Sequence, residues 1–267
     1  MNQTLDTLAQ RYWDLRLETT PSVAPIEGDF RFCGAIENWS AEHEAMTRAR
    51  FAALRDGVTA LALGDLSPSE QVTAGLLGAE LDDEIEAIDL RMIELDSNQM
   101  TGPHAMYLQL PPQTTYPDPS CAAQVADRYR QMPASLEGLM QRFREGLASG
   151  RTPARLSIER SLTQLDGYLA TDAAEDVFTS VGAPADWNGE AEWRAAIAEV
   201  VARHVRPAFA RFRAPEGRQI SVCGVSRRRR RIMSVAAPRL ISYFSCPNPG
   251  AHAPGYVSVA APRLGIA

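Results

Sequence analysis

The chain has 267 residues, 45% hydrophobic and 22% charged, with a formal net charge of −6, a balance that suits one large or two ordinary globular domains and excludes a disordered polyelectrolyte. All 27 basic residues are arginine. Without lysine a P-loop has no ammonium at the phosphates and a Schiff-base enzyme has no amine, so both chemistries are excluded.

Aromatics make up 7% of the chain while alanine and leucine are plentiful, which favours helices because these residues lose little side-chain freedom in a helical turn. Cys33, Cys121, Cys223 and Cys246 form no C-x-x-C pair, so no zinc knuckle or thioredoxin-type site is expected, and reduced thiols are the default. The first residues, MNQTLDTLAQRYWDLRLE, lack a basic patch followed by an apolar run. No stretch approaches the roughly 18 apolar residues that span a bilayer. The expectation is a cytoplasmic protein with no membrane segment.

Leu5, Leu8, Tyr12 and Leu15 put one apolar stripe on a helix that stops before Pro21. TPSVAPIEGDFRFCGAIENW has no period and is expected to be a loop laid over the core. Ser40 is placed to cap a helix running to about Leu63, with Glu42 in its first turn. Ser67-Pro68-Ser69-Glu70 is a capping box with proline at the first helical position, and a long helix is predicted from it. On that helix Leu81, Ile85, Ile88 and Met92 continue a buried stripe. Asp82, Asp83, Glu86 and Asp89 lie largely outside the stripe and read as a solvated acidic face rather than a metal cluster.

Pro103, Pro111, Pro112, Pro117 and Pro119 remove so many donors from Gln99–Ser120 that an extended loop is expected there. Long loops in compact domains are often functional, so Gln99, Met100 and His104 are candidates for lining a substrate groove. Ser120 is placed to cap a helix to Met132, with a second piece from Pro133 to Gly150, a suitable left-handed terminus. Another helix opens near Thr152-Pro153 and carries Leu156, Leu162, Leu165 and Leu169. After a Gly, Pro and Asp-rich connection at 171–189, Trp193, Ile197, Val200, Val201 and Val205 mark a last helix that Pro207 bends. The fold class is all-α: an irregular array of six or seven helices over residues 1–213, followed by an irregular or disordered tail at 214–267.

The tail holds eight arginines and one acidic residue, a formal +7, so residues 1–213 carry −13 of the total of −6. It includes Arg227, Arg228, Arg229, Arg230 and Arg231 in a row and repeats SVAAPRL at 234–240 and 258–264. Two copies do not make a solenoid. GC-rich DNA read one base out of step favours arginine, alanine, proline and glycine, which points to a shifted reading frame. The alternative is a basic tail that neutralises phosphates or binds an acidic protein, with salt-sensitive and non-specific affinity.

The helical part resembles a bacterial family described only as domain-of-unknown-function family 885. The resemblance rests on LAQRYWDLRLETTPSVAPIEGD, on the helix ending in DLRMIELDSNQMTGPH, on MPASLEGLMQRFREGLASGRTPARLSIERSLTQLDGYL, and on CGVS at 223–226. It implies a longer helical protein similar to zinc metallopeptidases. In such proteins a later HExxH helix holds zinc with two histidines and activates water with the glutamate, and the substrate is peptide-like.

No catalytic or metal residue carries over to this chain. His43-Glu44 is followed by Thr47 where the second histidine belongs, and His104, His204 and His252 lack a supporting pattern. The expectation is therefore a truncated, inactive part of a hydrolase, without a cofactor of its own. A domain cut before its remaining helices should leave apolar stripes such as that of 193–205 facing water, open to self-association. The competing expectation is a self-sufficient helical interaction module with a basic tail.

Overall fold

Ser67 and Glu70 close the reciprocal capping box predicted for them, and α3 (Pro68–Asp89) follows with proline in its first turn. Ser40 likewise accepts from the backbone N–H of His43 at the start of α2 (Ala41–Thr59), and α1 covers Gln3–Thr19. The computed structural model describes residues 2–214; the five-arginine run and both SVAAPRL copies lie outside the described residues. These residues fall into two compact units, one of residues 2–15 and 46–90, the other of 16–45 and 91–214.

In the first unit the predicted stripe of α1 is buried: Leu5, Leu8, Tyr12 and Leu15 meet Phe51, Leu54 and Val58 of α2 and Ala74, Leu77 and Leu81 of α3. Each leucine so placed contributes about 1.5–3 kcal/mol. Ile85 and Ile88 pack against this core, whereas Met92 falls beyond the end of α3. The acidic face is solvated and partly paired with α2, through Arg55 to Asp82 at 2.7 Å and Arg48 to Asp89 at 2.5 Å. Hydrogen bonding from these arginines holds both aspartates below the usual carboxylate range.

The second unit is built on α7 (Met132–Ala148), α8 (Arg155–Ala170), α9 (Glu190–Val200) and α10 (Arg206–Arg213), with short α4 (Pro103–Gln109), α5 (Pro119–Ala123) and α6 (Val125–Arg130) packed among them. Eight described α-helices have seven residues or more, so the expected six or seven is slightly low. The prolines explain part of the shortfall. Pro103, Pro111 and Pro119 each begin a helical turn, where the missing N–H costs nothing, so they start helices in a segment that proline count alone marks as extended. Asp118, not Ser120, caps α5. Gly150 adopts the left-handed conformation foreseen for it, with φ +73°.

The stripe expected to face water does not. Trp193, Ile197, Val200, Val201 and Val205 are all buried, in one cluster with Leu136, Leu139, Phe143, Phe178 and Phe209. Ahead of Pro207 the chain widens into a π-helical turn, Val201–Val205, before α10. No strand occurs among the described residues; one parallel bridge joins Thr115 to Gly182. Glycine is required at that bridge, because an added Cβ would lie 2.9 Å from Thr115 Cβ.

Candidate functional site

The three residues proposed from sequence to line a groove have different settings. Met100 is 54% exposed. The carbonyl of Gln99 accepts from Gln164 Nε2 at 3.1 Å, which ties the 97–102 turn to α8. Asn98 organises the same turn by accepting from the N–H groups of Met100 and Thr101. His104 is fully buried, its ring 5.6 Å from that of Phe212, and neither nitrogen has a hydrogen-bond partner. It is a core residue of the second unit and not part of an open groove wall. Burial lowers its pKa to about 4, so the ring is neutral at ordinary pH.

A more elaborate constellation holds the segment from Pro21 to Trp39, the loop expected to lie over the core. The buried Arg128 on α6 donates from one terminal nitrogen to the carbonyls of Pro21 at 3.2 Å and Phe32 at 2.8 Å. Glu37, also buried, accepts from the Ser22 N–H at 3.1 Å and from its hydroxyl. The Pro21–Ser22 peptide therefore lies between a guanidinium on its carbonyl side and a carboxylate on its N–H side, an orientation that favours its dipole at both ends.

Further along, Gln131 donates to the Gly34 carbonyl, and Ser135 donates to the Glu37 carbonyl. Trp39 donates from its indole to Tyr107, whose hydroxyl shares a 2.7 Å bond with Ser135. Burial pushes the Tyr107 and Tyr116 phenols up, so both stay protonated. Cys33 and Cys121, expected as reduced thiols, are joined as a disulfide with Cα atoms 5.6 Å apart, both nearly inaccessible. It fastens the same segment to α5. Sequence reasoning missed this pairing, as it missed Arg128 and Glu37.

The remaining buried charges form a second network. Glu94 is wholly buried and pairs with Arg91 and with Arg151 at 3.1 Å, while Arg142 on α7 pairs with Glu44 and with Glu145 at 2.9 Å. Three cations face three carboxylates. Desolvation raises the Glu44 pKa against the pull of Arg142. Gly146 permits the approach of α7 to this cluster, since a Cβ there would lie 2.9 Å from Glu94 Cβ.

None of this assembles a hydrolytic centre. Among the described residues no group of three or more His, Cys, Asp or Glu side chains is placed to hold a metal ion. Glu44, the only carboxylate in the sequence pair His43-Glu44, is engaged by Arg142, and Thr47 stands one turn on, so these residues do not fit a zinc site. No described helix is long and apolar enough to cross a membrane. The arginines proposed for the nucleic-acid alternative, Arg227–Arg231, lie outside the described residues.

No curated protein matches the chain in sequence. Its fold is similar to the crystal structure of the "putative lipoprotein from Colwellia psychrerythraea", with a TM-score of 0.67 at 16% identity. The likeness covers 83% of this chain and 42% of that one, so the chain spans less than half the length of this relative. The model of the family described as "Bacterial protein of unknown function (DUF885)" matches residues 21–217. By that match, which runs from the pinned segment through the last described helix, the chain belongs to the DUF885 family.

Proposed function

We propose that this chain is the helical, non-catalytic part of a larger metallopeptidase-like hydrolase, in which it walls a groove for a peptide-like substrate. Zinc and the glutamate that activates water belong, in this reading, to helices outside these 267 residues. The observation that carries the proposal is the combination of a family match over 21–217 with a solved relative of the same fold more than twice as long as the region shared. Two features support it. The buried arginines of the second unit are engaged within it, Arg142 with Glu44 and Glu145 and Arg128 with the carbonyls of Pro21 and Phe32. The exposed Met100 sits on a turn held rigidly by Asn98 and Gln164, as a wall residue requires.

Purified chain with added zinc is predicted to hydrolyse no member of a peptide panel. Turnover abolished by a chelator overturns the proposal. The DNA downstream of codon 226, translated in all three frames, tests the shifted-frame origin of the tail, for which an HExxH helix out of frame is the expected finding.

The Cys33–Cys121 bond favours an oxidising compartment over the cytoplasm expected from sequence, because buried disulfides persist where thiols are not kept reduced. Protein alkylated at the moment of cell lysis should retain the 33–121 cross-linked peptide. Full alkylation of both cysteines contradicts this placement.

A further inference from the structure

The outer face of α3 is exposed, and its chemistry changes along its length. Val72, Leu76, Ala79, Asp83 and Glu86 share this face: at about 100° per residue all five fall within about 40° of one line along the helix. Val72 is 62% exposed and Leu76 44%. Residues 71–79 carry no charge on any side of the helix, and a Cβ added at Gly75 would meet nothing within 4 Å, so this half is open away from the core. Of the seven exposed large hydrophobic side chains among the described residues, four (Leu63, Val72, Leu76 and Leu90) lie on α3 or in the residues that flank it. That concentration marks an interaction surface, where single exposed apolar residues would not.

Charge selects the occupant. Asp83 and Glu86 continue the face beyond its apolar half, and among the described residues no arginine pairs with either, whereas Asp82 and Asp89 beside them are engaged by Arg55 and Arg48. The first unit, residues 2–15 and 46–90, has eleven acidic residues against four arginines, a formal −7. A second copy of α3 would bring like charge to this face, which disfavours self-association through it. Residues 214–267 carry a formal +7, and their five-arginine run is followed at once by Ile232, Met233 and Val235. Basic then apolar is the complement of α3 read in the opposite direction. Leu156 of the second unit, 59% exposed, lacks that complementarity, since Arg160 stands one turn on where α3 offers a carboxylate.

We propose that the outer face of α3 is the docking site of the chain's own segment Arg227–Leu240, which lies outside the described residues, with the arginines at Asp83 and Glu86 and the apolar residues after them at Ala79, Leu76 and Val72. Such docking follows from the polypeptide as it stands, whatever reading frame supplies the tail, and is independent of the hydrolase proposal. It gives the basic segment an acidic partner within the same molecule.

The test uses the full chain with the photo-cross-linker p-benzoylphenylalanine in place of Leu76 or, in separate proteins, of Val72 or Leu156, all exposed positions whose replacement leaves the core intact. Dilute protein is irradiated, and the captured peptide is identified by mass spectrometry after chymotryptic digestion. The expected result is capture of residues 227–240 from positions 72 and 76 within single chains, and none from position 156. Asp83→Arg combined with Glu86→Arg should lower the yield about tenfold, and so should salt at about 1 M, where the screening length is about 3 Å. The salt arm needs no substitution in the acidic half, so it holds even where the double variant folds poorly. Absence of tail peptides at positions 72 and 76, equal capture at position 156, capture only in covalent dimers, or a yield indifferent to salt would each overturn the proposal.

Discussion

His104 makes the stability of this fold depend on pH in a way that can be worked out from its setting. The ring is fully buried against Phe212, with no acceptor at either nitrogen, and its pKa falls from 6.5 to about 4. Between those values the unfolded chain binds a proton that the folded chain refuses, so stability is lost as pH falls from about 6.5 toward 4 and is unaffected above that window. A shift of about 2.5 units corresponds to about 3 kcal/mol, of which about 2.5 kcal/mol is lost by pH 4.5.

The perturbation is His104→Leu, which keeps an apolar side chain of comparable volume against Phe212 and cannot titrate. Chemical denaturation of wild type and variant at pH 8, 6.5, 5.5 and 4.5 gives the difference in unfolding free energy, in which the carboxylates common to both proteins cancel. That difference should move in favour of the variant by about 2.5 kcal/mol between pH 8 and pH 4.5. A flat difference across this range refutes the reasoning, because it requires a charged His104 to be accommodated in the folded protein.

Other consequences follow from the same structure. Reduction of Cys33–Cys121, which closes a loop across 88 positions, should cost up to about 4–5 kcal/mol on chain-entropy grounds, seen as a lower Tm in reductant; an unchanged Tm contradicts it. Glu94→Gln leaves Arg91, Arg151 and Arg142 around a neutral buried side chain and should destabilise by about 3–5 kcal/mol in urea unfolding, whereas removal of the exposed Arg155–Glu159 pair should change stability by less than about 1 kcal/mol. Gly182→Ala drives a methyl into Thr115 and should cost about 1–3 kcal/mol by the same measurement, a cost that an undisturbed bridge would not show.

The helices of this protein are legible where their signals are local. Ser67 and Glu70 are three residues apart, and the stripe from Leu5 to Leu15 lies on one helix, so both could be read without knowing what surrounds them. Proline is ambiguous because its effect depends on position: Pro103, Pro111 and Pro119 are helix starters, and only the neighbouring turns decide that. The Pro21–Trp39 segment could be recognised as a loop over the core, but not how it is held. Its partners are distant in sequence, as Arg128 is from Pro21, and a buried arginine has the same letter as the exposed ones around it. Cys33 and Cys121 pair for the same non-local reason. His104, selected as a loop histidine, lies in the core because Gly102 and Pro103 begin a helix there instead of continuing a loop. The burial of Trp193 and Val205 shows that an apolar stripe near the end of the family match can be covered by helices already present.

The central claim is that the side chains needed to hold a water-activating metal are not assembled among the described residues. Its most direct test is the zinc content of the purified full-length protein after dialysis against a weak chelator, measured by elemental mass spectrometry. The account predicts far less than one zinc per chain. One tightly retained zinc per chain would contradict it.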